Sequence, residues 1–232
     1  MNKHVFFATF LALVVSLTVF AATFFEDFSA MPTSTCYPDG VLIGMWQFVY
    51  NGFGCNAFVS SNNNTVLFEQ PKAPNSPGET HAALVVGPSI AGDFGLEVWT
   101  ATGRQLRMGS APNPWEVSWV LWHFTDNYHF YYFIAKPNGW ELGKRDPAYP
   151  GGQRFLATGS VPFFPIGQWY TIGIQQSGAT IAVSVNNVPI TTFTDYERPY
   201  SSGRVGLYSE DAEAYFDNVS ITTDSRGKGK KK

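Results

Sequence analysis

From residue 23 onward the chain is a succession of short runs rich in Val, Ile, Thr and aromatics, each ended by Gly, Pro, Asn or Asp. No window of about 11–18 residues keeps a helical period. Short strands between frequent turn signals restrict such a chain to a sandwich or barrel, because each strand must bury one face against a second layer. The reading predicts strands over 23–28, 65–68, 81–86, 93–100, 116–124, 129–136, 141–146, 169–175, 180–185, 188–193, 204–208 and 214–221. Residues 30–63 read as mostly loop. The alternation slips at Phe216-Asp-Asn-Val219, which predicts a bulge.

The ends differ from the middle. Lys3 and His4 precede an apolar run from Val5 to Phe20, and Val19-Phe20-Ala21 offers a small-x-small cleavage pattern. Residues 1–21 therefore read as a signal peptide, 22–223 as one domain and 224–232 as a basic, disordered tail. An exported chain is expected, with no later segment apolar enough to cross a bilayer. Of 15 basic residues, six lie in leader and tail, which leaves nine bases against 17 acids in the domain. That acidity argues against a nucleic-acid partner. Cys36 and Cys55 are the only cysteines and are expected to pair, as an exported chain permits. One domain of this size can bury its own core without help from a metal or many disulfides. A monomer with no organic cofactor is expected.

Aromatics make up 16% of the chain and charged residues only 14%, well below the usual quarter. Sugars reward that balance, since their C–H faces lie on rings and their hydroxyls need a few polar groups. The clearest place for both is the meander over 116–146. Two-residue loops at Asp126-Asn127 and Asn138-Gly139 would set Trp122 opposite Tyr131, Phe124 opposite His129, Ala135 opposite Leu142 and Phe133 opposite Lys144. One face then carries Val117, Trp119, Leu121, His123, Phe130, Tyr132, Ile134 and Glu141. Being mostly apolar, it is expected to pack on the second sheet. The other carries Glu116, Trp122, His129, Tyr131, Trp140, Lys144 and Asp146 and is expected to form an open groove. Trp122, Tyr131 and Trp140 would stack on sugar rings, with Glu116, His129 and Lys144 as the hydrogen-bonding rim. The alternative is that these aromatics simply fill a core.

Several motifs resemble the concanavalin A-like lectin/glucanase superfamily. They are Gly92-Asp-Phe-Gly-Leu-Glu-Val98, Asn138-Gly-Trp-Glu-Leu-Gly-Lys144, Gly178-Ala-Thr-Ile-Ala-Val-Ser-Val185, Ser202-Gly-Arg-Val-Gly-Leu-Tyr208 and Tyr215-Phe-Asp-Asn-Val219. Within that superfamily the chain is most similar to laminin G-like domains and 3-keto-disaccharide hydrolase-like jelly rolls. The resemblance implies a two-sheet antiparallel jelly-roll β-sandwich. It also implies that the Phe-Asp-Asn-Val strand lies beside the early Glu26-Asp-Phe28 strand. Lectins, glycosidases and lyases share this fold, so it leaves activity open.

For cleavage, two carboxyl groups must flank a glycosidic bond. The Glu-x-Asp-x-x-Glu or Glu-x-Asp-x-Glu strand motif of family-16 glycosidases is absent. Glu97 and Glu116 are the candidate pair, with Trp99 beside Glu97 as a further ligand contact; alternatively, one of the two binds a sugar hydroxyl and the other pairs with Lys144 or Arg107. A lyase could draw on His129, Tyr131, Lys144 and Arg145. Glu26, Asp27 and Asp217 are candidate ligands for a structural calcium. Glu210, Asp211 and Glu213 form a second acidic patch, read as a solvated loop. The leading expectation is a secreted binder of poly- or oligosaccharides. A glycoside hydrolase or polysaccharide lyase, and an adhesion domain, are its rivals.

Overall fold

The computed structural model describes residues 21–61 and 63–223. Of the signal-peptide reading over 1–21, residues 1–20 lie outside the described residues, as does the tail over 224–232, whereas Ala21 is the first residue of a strand. Sixteen strands are present: β1 (Ala21–Glu26), β2 (Leu42–Ile43), β3 (Trp46–Tyr50), β4 (Cys55–Ser61), β5 (Asn64–Gln70), β6 (Ala82–Ala91), β7 (Phe94–Gln105) and β8 (Ser118–Asp126), then β9 (His129–Lys136), β10 (Gly139–Arg145), β11 (Gln153–Gly159), β12 (Trp169–Ser177), β13 (Thr180–Val185), β14 (Val188–Thr194), β15 (Ser202–Glu210) and β16 (Ala212–Thr223). Among the described residues no helix is long and apolar enough to cross a membrane.

The strands form two antiparallel eight-stranded sheets. The first runs β14-β13-β12-β7-β16-β5-β4, with β1 also paired to β16. The second runs β11-β10-β9-β8-β15-β6-β3-β2. The chain crosses between layers repeatedly, and sequence-distant strands such as β7 and β16 become neighbours, the jelly-roll arrangement. Alternation makes the core legible: Leu96 and Val98 of β7, Ile172 and Ile174 of β12, and Ile181, Val183 and Val185 of β13 all point between the layers. They meet Val120, Trp122, Tyr131, Phe133 and Leu142 from the second sheet.

The predicted bulge is present. The register of β16 against β7 shifts between Asp217 and Ser220, with Asn218 at φ 47. The slip returns Val219 and Ile221 to the core side that Phe216 also faces. β1 lies beside the end of β16, with Glu26 opposite Val219, as the resemblance implied. Cys36 and Cys55 are disulfide-bonded, with Cα atoms 5.1 Å apart.

Two hairpin details differ from expectation. Asp126 pairs with His129, so the first loop is Asn127-Tyr128, yet Trp122 still faces Tyr131. A bulge over 123–125 absorbs the difference, with His123 at φ 53. Lys136 pairs with Gly139, so the second loop is Pro137-Asn138, and Ala135 faces Trp140 while Phe133 faces Leu142. Proline's fixed φ suits the first corner of a turn, which draws the bend one residue forward. This moves the register by two, so parity is kept.

Four strands were missed in sequence, the short β2 among them. β3 and β4 are separated by Gly52 and Gly54, whose added Cβ atoms would lie 2.4 and 2.0 Å from backbone oxygens. The glycines that read as loop are the residues that let this tight connection close. β11, over a Gln-Arg-Phe-Leu stretch, is an edge strand with weak alternation.

Candidate functional site

Apart from His123, which the bulge over 123–125 turns into the core while Phe124 joins the outer layer, the meander's two faces are grouped as predicted, but their roles are exchanged. Trp122 and Tyr131 are fully buried between the sheets. Their rings stack 5.5 Å apart, and the Trp122 indole donates to Gln176 Oε1 at 2.8 Å. Trp140 is also core, donating to the Val161 carbonyl. Lys144 is fully buried, with Nζ 2.7 Å from Asp195 Oδ2, which also accepts from the Tyr131 hydroxyl. Lys144 further donates to the Glu197 and Arg198 carbonyls. The segment over 195–200 thus caps that end of the sandwich. The polar residues of this face are neutralised there rather than offered to solvent, which is why the face can be interior.

The remaining predicted contacts scatter. His129 sits at the hairpin tip against Asp126, 2.9 Å away. His123 is buried, edge-on to Phe94, and burial holds its imidazole down at about 4. Glu116 is buried in an ion cluster, 2.5 Å from Arg107 Nε. Glu97 and Trp99 are exposed on the outer face of the first sheet. Glu97 and Glu116 therefore do not converge, and the expected carboxylate pair is not formed. Asp217 accepts from Asn64 and Asn218, Glu26 from the Phe28 amide, and Asp27 from Ser29. Among the described residues no group of three or more carboxylates, His or Cys is placed to hold a metal ion.

The face expected inside is instead the floor of a groove on the outer side of the second sheet. Leu84, Val86, Val117, Trp119, Leu121, Tyr132 and Ile134 form a buried layer distinct from the main core. Trp119 is its centre. The Tyr132 ring lies 4.8 Å from it on one side and the Tyr208 ring 5.2 Å on the other. Each tyrosine holds a carboxylate: Tyr132 donates to Glu141 Oε1 at 2.7 Å, and Tyr208 to Glu210 Oε2 at 2.8 Å. Lys136 Nζ is 3.1 Å from the other oxygen of Glu141, and Gln153 donates to the Tyr132 hydroxyl. Pairing puts Tyr208, Trp119, Ile134 and Glu141 in one cross-strand row, so the two acid groups flank one indole.

Above this floor Trp115, 43% exposed, and Phe155, 58% exposed, stand as walls. Trp115, Trp119, Glu141, Gln153, Phe155 and Glu210 line one cavity of about 280 Å³. Burial pushes the Glu210 carboxyl up, opposed by hydrogen bonds from Tyr208 and Trp115, while Asp211 and Glu116 add repulsion. Burial, the Glu141 charge and its hydrogen bond push the Tyr132 hydroxyl well up, so it remains a donor.

Arg107 positions one wall. It pairs with Glu116 and, at 2.9 Å, with Asp211, and it donates to the Ser76 and Glu79 carbonyls. Asn113 donates to the same Glu116 oxygen. The cluster ties the loop carrying Trp115 to the bend that follows Glu210. The acidic patch read as a solvated loop is thus divided: Asp211 is buried in this cluster, and Glu210 faces the groove.

The sequence match spans residues 58–222, more than half the chain, and is to the 3-keto-alpha-glucoside-1,2-lyase-like domain. The chain belongs to that family. No curated protein sequence matches this member of the 3-keto-alpha-glucoside-1,2-lyase-like family. Its fold is shared with the carbohydrate-binding module CBM66 from Bacillus subtilis at 14% identity and a TM-score of 0.55, over 77% of this chain and 96% of that one. It is shared also with the Bacillus licheniformis beta-glucanase at 14% identity and a TM-score of 0.53, over 86% and 97%. Domain 4 of AbnA, an extracellular arabinanase from Geobacillus stearothermophilus solved with arabinotriose, aligns at 11% identity and a TM-score of 0.54, over 88% and 92%. These likenesses establish the jelly-roll fold of the 3-keto-alpha-glucoside-1,2-lyase-like chain.

Proposed function

We propose that the chain binds a carbohydrate in the groove over the second sheet. The observation that carries this reading is the single cavity in which Trp115, Trp119 and Phe155 meet Glu141, Glu210 and Gln153. Rings accept the C–H face of a sugar, and carboxylates and an amide accept and donate to its hydroxyls. The disulfide and the apolar leader support an exported protein.

Glycan cleavage is the second reading, supported by the family and by the two carboxyl groups flanking Trp119. Glu210, whose carboxyl holds its proton to higher pH than a free glutamate, would act as general acid. Glu141, which accepts from Tyr132 and Lys136, would act as base.

Native affinity gels containing β-glucan, arabinan, galactomannan or dextran test the first reading. Trp115→Ala with Phe155→Ala should weaken retardation by at least about tenfold, the equivalent of about 1.4 kcal/mol. Unchanged migration of that variant in every gel that retards the native protein would overturn the groove reading. Glu210→Gln separates the two: a binder keeps its affinity within about threefold, whereas an enzyme loses release of reducing ends or unsaturated products.

A further inference from the structure

We propose that the outer face of the first sheet is a second carbohydrate-binding surface, which takes a neutral polysaccharide chain along Trp169 and Trp99 into a polar cleft. It is independent of the groove, because the two lie on opposite sides of the sandwich.

Alternation aims Gly95, Glu97, Trp99 and Ala101 of β7 away from the core, since Leu96 and Val98 point into it. The same rule turns Trp169, Thr171, Gly173 and Gln175 of β12 outward, opposite the core residues Ile172 and Ile174. Pairing then sets these residues in rows. Trp169 lies opposite Ala101, and Ala101 opposite Tyr215. The next row places Trp99 between Thr171 and Asp217. The row after that places Glu97 between Gly173 and Ser220. Aromatics thus occupy one end of the face. The Tyr215 ring lies 6.4 Å from Trp169 and 5.3 Å from Phe68. Trp99 and Trp169 remain 43% and 42% exposed, a large apolar area to leave in water without an occupant.

The other end is polar. Glu97, Gln175, Ser184, Asn187, Ser220 and Thr222 surround a cavity of about 200 Å³. Its floor is low because Gly95 and Gly173 carry no side chain. A Cβ at Gly95 would lie 2.6 Å from both the Gln175 amide nitrogen and the Thr222 hydroxyl, and one at Gly173 would lie 2.5 Å from the Ser184 hydroxyl. No hydrogen bond or ion pair engages the Glu97 carboxylate among the described residues. The lining holds no Lys or Arg, so it offers nothing to a polyanion. Hydroxyl, amide and carboxylate groups in line with exposed indoles match a neutral sugar chain. The cleft is below the usual 300–1,000 Å³ of drug-sized sites, which suits one sugar unit with its neighbours on the rings.

The experiment uses the same four neutral polysaccharides in native gels, with polygalacturonate as the anionic control. Trp99→Ala/Trp169→Ala is compared with the native protein, and the same pair is added to Trp115→Ala/Phe155→Ala. Thermal melts check that each variant is folded, and Trp99→Phe/Trp169→Phe retains a ring where the alanines do not. We expect the face variant to lose at least about fivefold in retardation in one neutral gel, with the phenylalanine pair restoring part of it. We also expect the residual binding of the groove variant to vanish in the four-site variant. Retardation untouched by Trp99→Ala/Trp169→Ala in both backgrounds would overturn the second surface and leave the groove standing. Binding of polygalacturonate in preference to all four neutral polymers, or no retardation by any of them, would overturn it as well.

Discussion

Single residues carry the sharpest consequences where a polar group is buried. Glu69, on β5, is fully buried, with the Val85 backbone N–H opposing the effect of burial on its carboxyl. Burial pushes its carboxyl well above the ordinary range. The folded state therefore holds a proton that the unfolded chain releases near the ordinary value. By linkage, this group's contribution to stability is fully present below that value and is lost as pH rises through the raised one. Glu69→Gln should flatten this decline, giving a smaller loss of unfolding free energy as pH rises in urea titrations. A native-like slope in the variant would assign the decline to other groups. Glu69 shows that a carboxylate's place in an alternating strand says which face it takes but not whether it is charged there.

At the scale of elements, the groove depends on how β8, β9 and β10 pack side by side. Gly143 of β10 lies opposite Tyr132, whose ring crosses it: a Cβ there would sit 2.3 Å from the phenol carbon and oxygen. Gly143→Ala should displace Tyr132, and with it Glu141, weakening carbohydrate retardation more than it lowers the melting temperature. The opposite order of effects would mean that Tyr132 is only structural. Arg107 plays the matching part on the other wall. Removing its side chain leaves Glu116 and Asp211 buried without their cation, and Arg107→Ala should cost about 3–5 kcal/mol in denaturant unfolding. Much of this was legible as pattern. The grouping of Trp119, Tyr132 and Glu141 on one face follows from alternation and survived the shift of both turns, because both register changes were even. Glu210 was not legible as a groove residue, since only the pairing of β15 with β8 brings it beside Trp119.

For the whole molecule, closure comes from strands far apart in the chain. β16 pairs with β7 along its length and with β5 and β1 on its other side. Such non-local pairing pays its loop-closure entropy before it gains contacts. The Cys36–Cys55 bond reduces that cost by tying the long segment before β3 to β4 over a sequence separation of 19. Replacing both cysteines with serine should lower stability by about 3 kcal/mol, read as a shift of the urea midpoint with little change of slope. A change confined to the slope would place the effect in the unfolded chain's compactness instead. The sandwich also explains how one domain could carry two sugar surfaces, since each sheet has one face in the core and one in water.

Alternation, turn residues and cysteine count sufficed for the all-β class, the antiparallel meander, the bulge in the last strand and the disulfide. All but the disulfide are local, depending on which residues are neighbours in the chain or across one turn, and the disulfide follows from there being only two cysteines. Which side of the meander is interior was not local. It was decided by the segment over 195–200, which arrives from about 50 residues away to neutralise Lys144 and Tyr131 with Asp195. A face with charged groups can be a core when its partners come with it, and an apolar face can be a groove when no further layer covers it. Only the folded arrangement supplies those partners.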